Sequence, residues 1–468
     1  MERVSRTVAI FAIGSFIARL PFCLAGPGFD ADSHLFLNKA LISVLNDDYL
    51  PSRGPGYIIP DHIGHLFAVH GWVYLTLLCS FLHAISVPIF AKILEYGNQS
   101  NRFWALALYA FLPMHLIGYS DVMVDYPMMT LGVLSGWLYL MRGNLPISAL
   151  LIGTAGAMRP SQGIFIVLIF AVFIFASLGW RSVLIWLALS GAMLQVFWIV
   201  PAILLEDYSL IFRYLPYTSD LRGYLRSIYS LFLSPLGIVP LSIIVLGFCI
   251  NFRRVLETIL RDRVLLLCIA VTIFTVLLFL RHPFKSNYLL IAIPFAIYAV
   301  GTIFSEKLMK NLVVFSLLHG LVAVPSSPPC APRTILGAGT LIAEYRDRKG
   351  FLADTHQLLT QLPPKSVVLC SSRTIQMLSY DLIRLGLTDK YKVDIERWII
   401  QERDRDIWLV DISWMRNNFE QEIILTISDM KKEYKVFSTS NQYAKHSDFL
   451  RKAGLLGSVS RLDTSRCL

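Results

Sequence analysis

Charge is scarce in this sequence. Of its 468 residues only 16% are Asp, Glu, Lys or Arg, while 55% are apolar, and the mean hydropathy is positive. So few charges cannot cover that much apolar surface in water, which excludes an ordinary soluble enzyme. Patterned cysteine is absent as well. The seven cysteines are scattered, with no CxxC and no Cys/His ligand spacing, which excludes a zinc ribbon or a dithiol redox motif. Cys23, Cys79, Cys249 and Cys268 fall in or beside apolar runs and read as small buried thiols. Cys330, Cys370 and Cys467 lie further on, where one disulfide has room but no pairing can be inferred. No glycine-rich phosphate loop, internal repeat or low-complexity tract is present. The formal charge of +10 is spread along the chain. That dispersal excludes a nucleic-acid stripe and fits the charge bias of a membrane protein.

What the sequence does contain is long apolar runs. IVLIFAVFIFASL (166–178), VLLLCIAVTIFTVLLFL (264–280) and NYLLIAIPFAIYAVGTIF (287–304) can, with their flanks, cross about 30 Å of hydrocarbon. The first run, 7–27, has the basic start of a signal peptide. Arg19 interrupts it and no clean small-x-small site follows, so a retained helix is expected. Further candidate spans lie near 66–93, 103–119, 127–141, 147–158, 162–179, 183–204, 228–250 and 311–325, about eleven in all with 147–158 short for a crossing. With a cytoplasmic N-terminus, twelve Lys and Arg fall on inner connections and eight on outer ones. The inner set includes the cluster NFRRVLETILRDR. This obeys the positive-inside rule.

Ten carboxylates fall on the outer connections and five on the inner ones. They mark the outer loops as long, polar and mixed in charge, either a working surface or simply solvated loops. An odd number of spans leaves the C-terminal part outside too. The linker ends at 333 in AVPSSPPCAPR, and the pattern then changes to short strands alternating with helices. SVVLC (366–370) precedes a helix expected near 373–386, IWLVDI (407–412) one near 417–433, and KVFST (435–439) follows. The organisation expected is a transmembrane domain over 1–325, a linker at 326–333 and a small soluble α/β domain with a largely parallel sheet over 334–468.

The first outer loop, 28–63, carries the most chemistry. It opens on Asp30 and Asp32 and continues as an amphipathic stretch (Leu35, Leu37, Ala40, Leu41, Val44, Leu45) suited to the membrane interface. It closes on Ser52-Arg53-Gly54-Pro55-Gly56-Tyr57. A carboxylate at a membrane surface makes a general base if its pKa is raised. An arginine fork suits a phosphate. Asp125, at the outer end of span four, is costly so close to hydrocarbon and therefore a candidate for function. Asp47-Asp48 read as turn residues. Arg213, Arg222 and Arg226 in a Tyr-rich loop fit phosphate binding and interfacial anchoring about equally. Arg159 equally fits a helix-end anchor. His34, His62, His65 and His70 have no matched acid set, so no metal is expected there.

An Asp-rich first outer loop followed by an Arg-x-Pro-Gly-Tyr segment resembles the membrane glycosyltransferases of the C-type fold, among them the protein O-mannosyltransferases and lipid A aminoarabinose transferases. Tyr119-Ser120-Asp121 with Asp125-Tyr126-Pro127, Arg159-Pro160, and His282-Pro283-Phe284-Lys285-Ser286-Asn287-Tyr288-Leu289 agree in order and spacing, with Asn287 where the family usually has arginine. The resemblance covers most of 1–325. It implies inverting transfer of a hexose or pentose from a polyprenyl-phosphate donor to a hydroxyl of a glycan, lipid or protein, on the outer face of a bacterial inner membrane. By that resemblance Asp30 or Asp32 is the base, Asp30 preferred. Arg53, Arg159, Arg281 and Lys285 meet the lipid phosphate, and Tyr57 lies in the loop motif. Asp121 and Asp125 orient the sugar, or position a divalent ion in relatives that use one; no motif here demands a cofactor. A lipid-linked sugar flippase and a non-catalytic assembly subunit on the same fold are the competing readings. A transporter should carry mid-membrane charges and two similar halves, neither of which is evident.

Overall fold

The computed structural model describes residues 2–28, 31–47, 49–52, 57–205, 238–281 and 286–321. Beyond these it describes most of 341–353, then 380–381 and 384, and five short strands. The chain divides into two compact units. One comprises Met1–Leu24, Pro51–Gly64 and Trp72–Arg346, the other Ala25–Leu50, His65–Gly71 and Asp347–Leu468.

The first unit is helical. Its elements are α1 (Glu2–Ala25), α3 (Ile58–Ala68, which runs on into the second unit), α4 (Trp72–Tyr96), α5 (Arg102–Phe111), α6 (Pro113–Gly118), α7 (Asp125–Met141) and α8 (Leu145–Met158). There follow α9 (Pro160–Leu178), α10 (Trp180–Leu194), a π turn (Gln195–Ile199), α11 (Val200–Leu204), α12 (Ile238–Ile250) and α13 (Phe252–Arg261). Last come α14 (Arg263–Arg281), a 3-10 turn (Ser286–Leu289), α15 (Ile293–Ile303) and α16 (Glu306–Leu321).

Five helical stretches among the described residues are long and apolar enough to cross a membrane: Arg6–Ala25, Trp72–Tyr96, Pro160–Leu178, Trp180–Leu204 and Arg263–Leu280. Their outward residues are apolar at helical spacing. Ile10, Ile13 and Ile17 are exposed on α1, Leu168, Val172 and Phe175 on α9, and Leu266, Ile273 and Leu277 on α14. Such stripes are unfavourable in water and suited to lipid, so these helices are compatible with an integral membrane protein. Five is fewer than the eleven expected. Several expected spans are helical but too short or broken. The 103–119 run is split at Leu112, because Pro113 has no N–H and disfavours a helical residue before it. The 287–304 run divides into a 3-10 turn and the 11-residue α15. The 228–250 run is helical only from Ile238 among the described residues.

Small residues set the closest packing. Gly132 and Gly136 on α7 face Ala155 and Ile152 on α8, where a Cβ on Gly132 would sit 2.7 Å from that of Ala155. This is the small-residue device by which helices in lipid gain close van der Waals contact. The turn between α7 and α8 uses Gly143 at φ 76°, and Asn144 caps α8 by accepting from the Ile147 amide. Trp137 stacks on Phe295 at 4.7 Å, and Asn101 donates to the carbonyls of Gly301 and Phe304, joining the start of α5 to the end of α15.

The second unit contains α2 (Ala31–Asn46) and parallel strands. The helix forms where the amphipathic stretch predicts one, but Leu37, Ala40 and Leu41 are buried in protein, leaving only Val44 and Leu45 exposed for an interface. Strands β1 (Val367–Cys370), β2 (Lys392–Asp394) and β3 (Ile407–Val410) form a parallel sheet in the order β2-β1-β3, with Val367 opposite both Lys392 and Ile407. A parallel pair joins β4 (Val436–Ser438) and β5 (Val459–Arg461). The runs SVVLC, IWLVDI and KVFST thus contain β1, β3 and β4, while β2 and β5 sit in short polar stretches that carry little strand signal. Apart from Tyr380, Asp381 and Arg384, the helices expected near 373–386 and 417–433 lie outside the described residues. The Tyr380 hydroxyl donates to the Ala68 carbonyl at 2.8 Å, and burial pushes its pKa up.

Candidate functional site

The site is built around Arg159. Pro160 excludes the helical conformation at the residue before it, so α8 stops and Arg159 takes an extended backbone (φ −146°, ψ 77°). Its side chain is 1% exposed. Asp125, in the first turn of α7 and fully buried, accepts from Arg159 Nη1 in a short ion pair across 34 residues of sequence. Three tyrosine rings surround the guanidinium: Tyr126 at 4.0 Å, Tyr288 at 4.6 Å and Tyr57 at 5.6 Å. Cation–π attraction is strengthened by such desolvation. Burial opposes the charge on Arg159, but Tyr126, Tyr57 and Asp125 outweigh it and hold the guanidinium above its ordinary pKa.

Neighbouring contacts fix this arrangement. The Tyr57 hydroxyl lies 3.5 Å from Ser161 Oγ, and Gln162 Nε2 donates to the Tyr288 carbonyl at 2.9 Å. Asp61, in the first turn of α3, accepts from Ser52 Oγ at 2.6 Å and from the Ser52 amide at 3.2 Å. That carboxylate therefore ties Ser52 to the start of α3. Four separate stretches (Tyr57, Asp125-Tyr126, Arg159 to Gln162 and Tyr288) meet here, and Arg159 Nε keeps a donor with no partner among the described residues.

Of the nine sequence-predicted site residues, the structure brings together Tyr57, Asp125 and Arg159. Asp121 is buried before α7, where its Oδ1 accepts from the Met123 amide at 3.3 Å. Asp32 is half-buried in the first turn of α2, in the second unit. Asp30, Arg53 and Lys285 lie outside the described residues, and Arg281 ends α14 with its side chain outside them too. His34 bonds the Gly28 carbonyl and His62 the Ile58 carbonyl, and no group of three His, Cys, Asp or Glu able to hold a metal occurs among the described residues.

Sequence reasoning passed over a second buried cluster. Arg19, in α1, donates to the carbonyls of Ser15 (2.6 Å), His115 (3.3 Å) and Ala110 (3.5 Å), and to His83 Nδ1 (2.5 Å). A guanidinium has no acceptor, so His83 must accept through Nδ1 and carry its proton on Nε2. His115 Nδ1 donates in turn to the Tyr109 carbonyl at 2.7 Å. That carbonyl is one of the groups orphaned where Pro113 breaks the α5–α6 run. The rings of His83, Tyr109, His115 and Tyr119 pack at 4.4–5.1 Å. The available signal was an arginine inside an apolar run together with two histidines in other runs. Tyr126 and Tyr288 stood in quoted motifs without a role, and Ser161 and Gln162 gave no signal. No family model, curated protein or solved structure matches this chain.

Proposed function

We propose that this chain is an integral membrane glycosyltransferase that moves a sugar from a polyprenyl-phosphate donor to an acceptor hydroxyl at the outer face of a bacterial inner membrane. The observation that carries the reading is the convergence of Tyr57, Asp125-Tyr126, Arg159 and Tyr288, which belong to four motifs of the C-type resemblance and lie far apart in sequence. A loose set of helix-end anchors would have no reason to meet.

In this reading Asp30 or Asp32 deprotonates the acceptor hydroxyl as it attacks the anomeric carbon with inversion. The sugar–phosphate bond breaks, and the lipid phosphate leaves with the electron pair. Arg53, Arg281 and Lys285 stabilise the departing phosphate. Arg159 is already matched by Asp125, so its role is to hold the tyrosine-lined wall, with its unpartnered Nε–H a donor suited to a phosphate oxygen. Asp121 orients the sugar. No divalent ion is required, and the eleven crossings and an outer α/β domain belong to the same proposal.

The complete burial of Arg159 and Asp125 favours a second reading, a non-catalytic subunit in which the pair is only a staple. A mass spectrum of lipid-linked sugars in cells lacking the chain separates the two. Accumulation of one polyprenyl-phosphate sugar, reversed by the wild-type gene and not by Asp30→Asn or Asp32→Asn, supports the enzyme. An unchanged lipid-linked pool removes it, and reversal by both Asn variants removes the base assignment.

A further inference from the structure

The run NFRRVLETILRDR contributes nothing to the site above, yet it folds into a distinct device. Its helix α13 joins α12 to α14, the latter long and apolar enough to span. Val255 is buried, whereas Phe252 and Leu256 are 67% and 50% exposed one turn apart, beside the almost fully exposed Arg253. Residues 252–263 hold four arginines against two carboxylates. Both carboxylates are engaged locally. Glu257 pairs with Arg253 at 3.2 Å, and Asp262 caps α14 by accepting from the amides of Val264 and Leu265. Both also line a pocket of about 390 Å³, together with Thr258, Arg261, Arg263 and Val264.

A second element lies at the same end of the helices. Arg263 Nη1 donates at 3.0 Å to the carbonyl of Ala176 in the last turn of α9, which brings the start of α14 to the end of α9. The chain turns there at Gly179 (φ 84°) into Trp180, which is 59% exposed with the Arg181 guanidinium 5.6 Å from its ring. Exposed Trp, Phe and Leu interleaved with arginine is the composition of a surface seated at the headgroup level. The positive-inside count assigns both connections to the cytoplasmic side, where anionic lipids give a negative surface potential.

We propose that α13 and the α9–α10 turn form a binding surface for an anionic phospholipid of the cytoplasmic leaflet. Arg253, Arg261 and Arg263 take the headgroup phosphate, and Phe252 and Leu256 enter the acyl boundary. The inference rests on the reading that α14 crosses a bilayer and is independent of sugar transfer.

The test uses the full chain in mild detergent, titrated with phosphatidylglycerol or with phosphatidylcholine of the same acyl chains, with bound lipid counted by native mass spectrometry. Wild-type protein is expected to prefer phosphatidylglycerol. R253Q/R261Q/R263Q should bind it about fivefold more weakly for each arginine removed, with phosphatidylcholine unchanged. R253K/R261K/R263K should keep the preference, because the leaflet responds to charge, and this arm holds if the Gln variant misfolds. Equal phosphatidylglycerol occupancy in the wild type and the Gln variant, or loss of the preference in a folded Lys variant, overturns the proposal. Millimolar inorganic phosphate should not displace the lipid; displacement would assign the pocket to free phosphate. Extraction of the chain from membranes by carbonate would instead defeat the membrane reading itself, so the two failures are distinguishable.

Discussion

Among the described residues of the first unit two arginines, Arg19 and Arg159, are buried, and they are held in opposite ways. Arg159 has a carboxylate, Asp125, and three aromatic faces. Arg19 has carbonyl oxygens and an imidazole nitrogen, with no ion pair to a carboxylate among the described residues. The carbonyl of Ala110 on Arg19 and that of Tyr109 on His115 lie one turn before Pro113, so this cluster repairs a broken helix. The Arg159 guanidinium bonds a carboxylate and, among the described residues, no backbone carbonyl. Its partners come from four motifs, and it leaves a donor unused. A charge spent on satisfying carbonyls reads as architecture, whereas a neutralised charge walled by tyrosines reads as a site.

The comparison breaks most readily at Asp125. Asp125→Ala strands a buried guanidinium and should cost about 3–5 kcal/mol, seen as a large fall in unfolding temperature in detergent. Arg19→Met removes the charge together with its burial cost and leaves only carbonyls and an imidazole unsatisfied, so a smaller loss of about 1–3 kcal/mol is expected in the same assay. An Arg19 variant less stable than the Asp125 variant would reverse the assignment of roles. His115→Phe keeps the ring packing but removes the donor to the Tyr109 carbonyl, for about 1 kcal/mol, and should raise amide exchange at the α5–α6 break before elsewhere. Smallest of all, Arg253→Gln opens an exposed i,i+4 pair and should leave the unfolding temperature unchanged, while still weakening anionic-lipid binding.

Much of the helical layout was legible because apolar runs and their breaks are local properties. The stop at Pro160 falls between two expected runs and follows from proline chemistry, whereas the break at Pro113 falls inside the single run expected over 103–119. Asp125 and Arg159 were each singled out, the first by its cost near hydrocarbon and the second as a phosphate contact implied by the resemblance. Their pairing was not legible, since nothing local to either residue specifies a partner 34 positions away. Arg19 entered only as an interruption in an apolar run, because its partners are mostly backbone oxygens that leave no sequence trace. Against eleven expected crossings, five long apolar helices stand among the described residues, because a window of apolar residues does not register a helix break inside it. Asp61 was counted among outer acids, and its bond to Ser52 depends on how α3 begins.

The most direct measurement is made on the double variant Asp125→Leu with Arg159→Met. Replacing a buried pair by apolar groups of similar size removes both desolvation costs, so the protein should fold with near wild-type stability. With folding preserved, the account predicts that cells carrying this variant accumulate the lipid-linked sugar as strongly as cells lacking the chain. A folded double variant that clears the lipid-linked pool as the wild type does would show the pair to be a staple, and would contradict the placement of the site at Arg159.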